Sequence, residues 1–121
     1  MIPYDEHMGF HTTVRAPGDA VVEADVGAHL HNPMGILHGG VLVGMMDSAM
    51  GAAMTSLLEP GETTTNMEFH VRFLRPTVEG HLRATAHIIK QGRLAVVWEA
   101  TVTNEEGDEV ARATSTFLKL R

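Results

Sequence analysis

The sequence has no cysteine and few aromatic residues, and its basic residues are outnumbered by acidic ones. Without cysteine in 121 residues, the chain has no thiol nucleophile, thiolate metal ligand or disulfide. Nine Lys and Arg against fifteen Asp and Glu give a formal net charge of −6, whereas nucleic-acid-binding domains carry a positive surplus. We therefore expect no nucleic-acid partner, and a phosphorylated ligand would need a local basic patch.

The length and composition predict a single domain over residues 1–121. Hydrophobic residues make up 44% of the chain, which is enough for one core and excludes low-complexity disorder. The first seven residues have neither a basic region nor an apolar run, so we expect no signal peptide and a cytoplasmic protein.

The most apolar stretch covers residues 40–58 and approaches the length of a membrane span. Asp47 near its middle would cost about 2.5–3.5 kcal/mol in lipid, and neither an aromatic belt nor basic flanks accompany it. The stretch therefore predicts a helix buried within the protein and no membrane partner. Because it is apolar on every side, we expect one sheet face and a partner subunit to cover it.

After this helix the sequence alternates with the two-residue period of half-buried strands. Strands are predicted around residues 69–73, 82–88, 94–102 and 110–120, as a sequential antiparallel meander, with an earlier hairpin from 10–15 and 20–26 and a loop at 27–37. The predicted fold is α+β, with one long helix laid across a twisted antiparallel sheet.

Asp47 and the helix start are the candidate chemical groups. A carboxylate among methionines needs hydrogen-bond donors or loses its charge. His38-Gly39-Gly40 opens the helix, where unpaired N–H groups suit an anion or an oxyanion. Eight residues separate Gly39 from Asp47, about 12 Å along a helix, whereas one reacting carbonyl needs both groups within about 3–3.5 Å. If both act together, two antiparallel helices of two subunits must share the site.

The residues 32–40, Asn-Pro-Met-Gly-Ile-Leu-His-Gly-Gly, followed by Asp-Ser-Ala at 47–49, resemble the signature of a known enzyme family. They are similar to hotdog-fold acyl-CoA thioesterases of the phenylacetate-pathway (PaaI-like) and Arthrobacter-type 4-hydroxybenzoyl-CoA thioesterase branch. The resemblance continues through residues 73–76 and 90–93 to the last strand. It implies a long helix wrapped by an antiparallel sheet, and a homodimer or a dimer of dimers.

The resemblance also implies roles for single residues. Asp47 matches the catalytic carboxylate, as nucleophile or general base, and Gly39 matches the oxyanion amide of the facing subunit. His38 and Asn32 match side chains that orient the thioester or the water. Where relatives often have Ser or Thr in the strand after the helix, this sequence has Asn66.

Residues that bind the CoA substrate are implied in the same way. A basic turn with an exposed glycine backbone can bind phosphates, although it can equally be an ordinary solvated hairpin. The predicted substrate-binding residues are Gly40, Asn66, Phe73, Arg75, Lys90, Gln91, Gly92 and Arg93.

The histidines of the loop before the helix raise the question of a metal. His29 and His31 could chelate together with His38 and Asp47, but the resembling family uses no metal. We expect no metal and no cofactor, with CoA present only as part of the substrate.

The leading prediction is an acyl-CoA thioesterase that releases a free acid and CoA. The alternative is a hotdog protein that binds acyl-CoA without turning it over, and CoA release would separate the two. A hotdog hydratase or dehydratase is a third possibility, but its differently placed carboxylate and His pair is not found here. Aryl, medium-chain and short branched acyl groups stay open.

Overall fold

The computed structural model describes residues 2–121, which form two α-helices and six strands. A short 3-10 helix, Ala28–Leu30, interrupts the predicted loop. In chain order the elements are α1 (Pro3–Met8), β1 (His11–Ala16), β2 (Asp19–Val26), α2 (Gly39–Thr55), β3 (Thr63–Phe73), β4 (Gly80–Gln91), β5 (Ala95–Thr103) and β6 (Glu109–Leu120).

The six strands form one antiparallel sheet in the order β1-β2-β4-β5-β6-β3. The α+β class and the β1–β2 hairpin are confirmed, but the predicted four-strand meander is wrong for β3. Strand β4 already has β2 on one side and β5 on the other, so β3 pairs instead with the free edge of β6. The pairing runs from Thr63 opposite Leu120 to Phe73 opposite Ala111, which leaves β3 at the edge of the sheet.

The core lies between α2 and one face of the sheet. Trp98 of β5 and four methionines of α2 are completely buried, and alternate residues of β2, β4, β5 and β6 complete the layer. Burying a side chain of this size contributes about 1.5–3 kcal/mol. The four methionines are Met45, Met46, Met50 and Met54.

Helix α2 begins one residue earlier and ends three residues earlier than predicted. Ser56 follows its last residue, donates its hydroxyl to the Ala53 carbonyl at 2.6 Å and accepts the Gly18 N–H at 2.7 Å. These bonds turn the chain toward the β1–β2 connection and stop the helix. Neither helix of the described chain is both long and apolar enough to cross a membrane.

Helix α1 was not predicted, although its signals are present. Pro3 occupies the first helical position, and Gly9 ends the helix in the left-handed region at φ 76°. The helix packs across α2, where it covers part of a face that the sheet leaves open. In one chain the sheet covers one face of α2, as predicted, and several small residues of the outer face stay accessible. Coverage of that face by a partner subunit stays a prediction.

Candidate active site

Asp47 lies midway along α2 on its outer face and is exposed in the single chain. The prediction that it is buried among methionines is wrong, because successive helical residues turn by about 100° and the methionines face the sheet. Its predicted need for a donor is met, since Asn66 Nδ2 donates to Asp47 Oδ1 at 3.1 Å. Asn66 of β3 and Asp47 of α2 are thus brought together.

Two donors fix the orientation of the Asn66 amide. Its Oδ1 accepts the Ser115 hydroxyl at 2.6 Å and the Glu68 N–H at 3.2 Å. A backbone N–H can only donate, so Oδ1 must face it and Nδ2 must face Asp47. Asn66 adjoins a bulge in the β3–β6 pairing, and the bulge aims the side chain at the helix.

Ser115 is completely buried and was missed by the sequence reasoning. Its signal is a polar residue in the alternating buried series of β6, which otherwise contains Ala111, Ala113 and Phe117. Such a hydroxyl requires a hydrogen-bond acceptor, and two lie within reach of it here, Asn66 Oδ1 at 2.6 Å and the Glu68 carbonyl at 2.7 Å.

The start of α2 presents one free backbone donor. His38 caps the helix through Nδ1, which accepts the Gly40 N–H at 2.8 Å, and the His38 carbonyl accepts the Val41 N–H at 3.0 Å. Within residues 2–121 the Gly39 N–H has no such partner. The Gly39 amide, rather than that of Gly40, is therefore available to a ligand at the positive end of the helix.

A cavity of about 330 Å³ opens beside Gly39. Gly39 forms its wall together with Phe73, whose Cζ lies 3.1 Å from where a Cβ on residue 39 would stand. Asn32 reaches the same cavity, and its Oδ1 holds the preceding turn by accepting the Met34 N–H at 2.9 Å. The cavity is lined by Asn32, Ile36, Leu37, Gly39, Leu42, Phe73, Leu74, Arg75, Pro76 and Thr77.

The predicted CoA-binding residues are divided between two ends of the sheet. The Arg75 N–H donates to the Val110 carbonyl at one end of β6. The turn at residues 90–93 lies at the other end, where the Leu94 carbonyl accepts the Lys119 N–H. Nine residues of strand separate these points, about 30 Å. One chain therefore does not bring Arg75 to the basic turn, which is exposed and is closed by the Gly92 N–H bond to Ala95 at 2.8 Å.

The N-terminal helix adds two residues near Asp47 that were not predicted. The Tyr4 hydroxyl lies over Gly44, where a Cβ would overlap it. Burial, then the charges of Asp5 and Asp47, raise the pKa of Tyr4, so its phenol stays protonated beside both carboxylates. Asp5 is only 3% exposed.

The histidines of the loop do not assemble into a metal centre. His31 Nε2 bonds the Val78 carbonyl at 2.7 Å. Among residues 2–121 no group of His, Asp or Glu side chains is arranged to hold a metal ion.

Comparisons with known proteins place this arrangement in a family. The sequence model of one protein family, the thioesterase superfamily, matches residues 34–111, which is more than half of the chain. The Listeria monocytogenes 1,4-dihydroxy-2-naphthoyl-CoA hydrolase is 33% identical over 100 residues, which are 83% of this chain and 81% of that protein. The proofreading thioesterase EntH of Klebsiella pneumoniae is 29% identical over 101 residues, 84% of this chain and 74% of that protein.

Solved structures agree with the sequence comparisons. The Escherichia coli PaaI protein from the phenylacetic acid degradation operon superposes with a TM-score of 0.91 at 26% identity, over 99% of this chain and 86% of that one. The predictions of a hotdog fold and of a thioester hydrolase are thereby confirmed. The chain belongs to the thioesterase superfamily.

Proposed function

We propose that this protein hydrolyses an acyl-CoA thioester to a free acid and CoA in a site that two subunits share. Asp47 of one subunit acts as nucleophile or general base, and the Gly39 N–H of the other holds the carbonyl oxygen. The observation that carries this proposal is the separation of the two groups along one helix, eight residues or about 12 Å. A single carbonyl cannot reach both groups of one chain.

The position of β3 at the free edge of the sheet supports a site that is shared by two subunits. Asn66, which contacts Asp47, stands near one end of β3, and Phe73, which contacts Gly39, stands at the other. A second copy that pairs antiparallel along this free edge, about a two-fold axis near residues 69–70, brings the Asn66 end of one chain to the Phe73 end of the other. Asp47 and the partner's Gly39 then face each other, and the site occurs twice in a homodimer.

The same pairing joins the divided basic residues. Thr63 at the start of β3 lies opposite Leu120, at the end of the sheet that carries the turn at residues 90–93. In the antiparallel dimer, Arg75 of one subunit reaches the same end as the basic turn of the other. Guanidinium and ammonium groups there suit the phosphates of CoA on an otherwise acidic protein.

The chemistry needs only these groups. As a base, Asp47 takes a proton from water while the water oxygen bonds to the carbonyl carbon. As a nucleophile, its own oxygen forms that bond and water then hydrolyses the anhydride. In both routes the Gly39 N–H and the helix dipole stabilise the oxyanion, and its collapse expels the CoA thiolate, which takes up a proton. His38 caps the helix by accepting the Gly40 N–H, which leaves the Gly39 amide as the donor for the carbonyl oxygen, and Asn32 shapes the turn before α2.

CoA release from a panel of aromatic and aliphatic acyl-CoAs tests this function. We expect turnover by the wild type and a loss of kcat of about 10²–10⁴ in Asp47→Asn. The amide keeps the shape and the Oδ1 acceptor of the contact with Asn66, so the fold and CoA binding persist. Asp19→Asn, at the start of β2, is the matched control and keeps its activity.

Either of two results would overturn the proposal. If acyl-CoA binds and no member of the panel releases CoA, the protein is an acyl-CoA-binding module instead. If Asp47→Asn turns over at the wild-type rate, the carboxylate has no part in the reaction. The proposed cytoplasmic location is independent of both results.

A further inference from the structure

Helix α1 is tied to the outer face of α2 by a buried carboxylate. Asp5 Oδ1 accepts the Ser48 hydroxyl at 2.7 Å, and Asp5 Oδ2 accepts the Thr12 hydroxyl at 3.0 Å. Asp5 thus joins α1 to both α2 and β1. Its partner on α2, Ser48, directly follows Asp47 in the chain. We call Asp5, Ser48 and Thr12 the Asp5 latch.

The aromatic residues of this segment seat the helix. The Tyr4 ring stands edge-on to Phe10 at a centroid distance of 5.8 Å, and Phe10 is only 6% exposed. Glycine at position 44 leaves the room that the Tyr4 hydroxyl occupies. Helix α1 is therefore built onto the face that carries Asp47, rather than lying loosely on the surface.

A groove continues along this face beyond α1. It has a volume of about 360 Å³ and begins at Gly51, one helical turn after Asp47. A Cβ on Gly51 would meet nothing within 4 Å, so glycine leaves the floor open. The groove is lined by Ile2, Thr12, Val14, Gly51, Ala52, Thr55 and Ser56.

The lining indicates what the groove can hold. None of its side chains is ionisable, and the Ser56 hydroxyl is already bonded to the Ala53 carbonyl. Ile2 and Val14 stand at its walls with 52% and 49% of their surface exposed, and an apolar ligand would remove that surface from water. From Gly51 to Thr55 the groove follows four residues of helix, about 6 Å.

We propose that Ile2, which directly precedes α1 and is positioned by α1 and the Asp5 latch, is a specificity determinant of this enzyme and forms one wall of a groove that takes up an apolar acyl chain. This inference rests on the proposed function, because a thioester carbonyl at Asp47 places the acyl chain beside Gly51. The CoA thiol leaves on the other side, toward the cavity beside the partner's Gly39. Charged acyl groups fit the uncharged lining less well.

The test measures kcat/KM for straight-chain acyl-CoAs from acetyl to dodecanoyl. Gly51→Leu places its Cβ in open space and fills the floor with the rest of its side chain. It should lower kcat/KM for the longest accepted chain about 10- to 100-fold, mainly through KM, with little change for acetyl-CoA. Ile2→Ala removes one wall, and Asp5→Ala opens the latch. Both should flatten the dependence on chain length. Thr13→Leu adds apolar bulk on the opposite side of β1 and is the matched control.

The outcomes distinguish a failure of the proposed acyl-binding groove from a failure of the proposed thioesterase function. An unchanged chain-length profile in both Gly51→Leu and Ile2→Ala, with turnover intact, would overturn the inference. If Gly51→Leu alters the assembly in sedimentation, Ile2→Ala decides alone. If the wild type hydrolyses no acyl-CoA, the proposed function fails, and calorimetric binding of dodecanoate still tests the groove: equal affinity of wild type and Ile2→Ala refutes it.

Discussion

The two faces of α2 differ in the size of their side chains and in what they contact. Toward the sheet, Met45, Met46, Met50 and Met54 are fully buried and fill the core against Trp98. Away from the sheet, Gly40, Gly44, Asp47, Ser48 and Gly51 are small or polar and incompletely buried. Large residues on one face hold the helix in place. Small residues on the other leave room for α1, for a second subunit and for a ligand.

The largest predicted effect concerns Gly39, the first residue of α2, whose N–H is the proposed oxyanion donor. Gly39→Pro removes the free N–H but keeps α2, because proline suits the first helical position and His38 at φ −62°, ψ 132° already has the extended backbone that precedes it. We expect kcat to fall about 10²–10³-fold, the usual effect of losing one oxyanion donor.

Gly39→Ala is the matched control for this change. It brings the same Cβ toward Phe73 but keeps the N–H, and because that exposed ring can shift, we expect most of the activity to remain. Equal losses in the two variants would mean that crowding of Phe73, not the missing donor, causes the effect. Steady-state kinetics with one acyl-CoA decides between them.

A pair of neighbouring substitutions contrasts the faces in stability. Met50→Ala opens a cavity in the core and should lower the free energy of unfolding by about 2–5 kcal/mol. Gly51→Ala, one residue later on the outer face, should raise it by up to about 1 kcal/mol, because alanine favours helix and its Cβ meets open space. Urea unfolding of both variants tests this, and similar losses in both would show that the two faces are equally packed.

Ser115 tests whether the sheet helps to position Asp47 through the Asn66 side chain. Ser115→Ala removes one hydrogen bond to Asn66, so kcat should fall about three- to tenfold with KM unchanged. In an Asn66→Ala background the same change should have no further effect on kcat, because Ser115 acts through that amide. Additive losses would mean that Ser115 acts only through general stability.

The smallest effect lies away from both faces, where His81 joins β4 to β2. Its hydrogen bond to Asp25 at 2.8 Å, with the charges of Asp25 and Glu23, raises the pKa of His81 above its usual value. This contribution to stability is complete below about pH 6.5 and is lost as the pH rises through the raised pKa. Urea midpoints measured across this range should fall with pH more in wild type than in His81→Gln. Identical pH dependence would contradict the assignment.

Local patterns in the sequence predicted much of this structure. The alternation in residues 82–88 identified β4, because a half-buried strand repeats every two residues, and the β-favouring residues at 110–120 identified β6. The apolar run identified α2. Nothing local specified that β3 pairs with β6, since its partner is fixed by which edges the other strands leave free.

The site was predictable only in part for the same reason. The motif around His38 and the spacing to Asp47 were visible, but the exposure of Asp47 depends on which helix face the sheet takes. Ser115 and Asp5 act through contacts 49 and 43 residues away in the chain, which no sequence window contains. The separation of Arg75 from residues 90–93 likewise follows from topology.

The central claim is that Asp47 of one subunit works with Gly39 of the other, and subunit exchange between two inactive variants tests it most directly. Asp47→Asn and Gly39→Pro chains, mixed under conditions that exchange subunits, form heterodimers in which one site has both defects and the other has neither. We expect CoA release to reappear, up to half of the wild-type rate per heterodimer. If heterodimers are shown to form and the mixture stays inactive, each site lies within one subunit and the account is wrong.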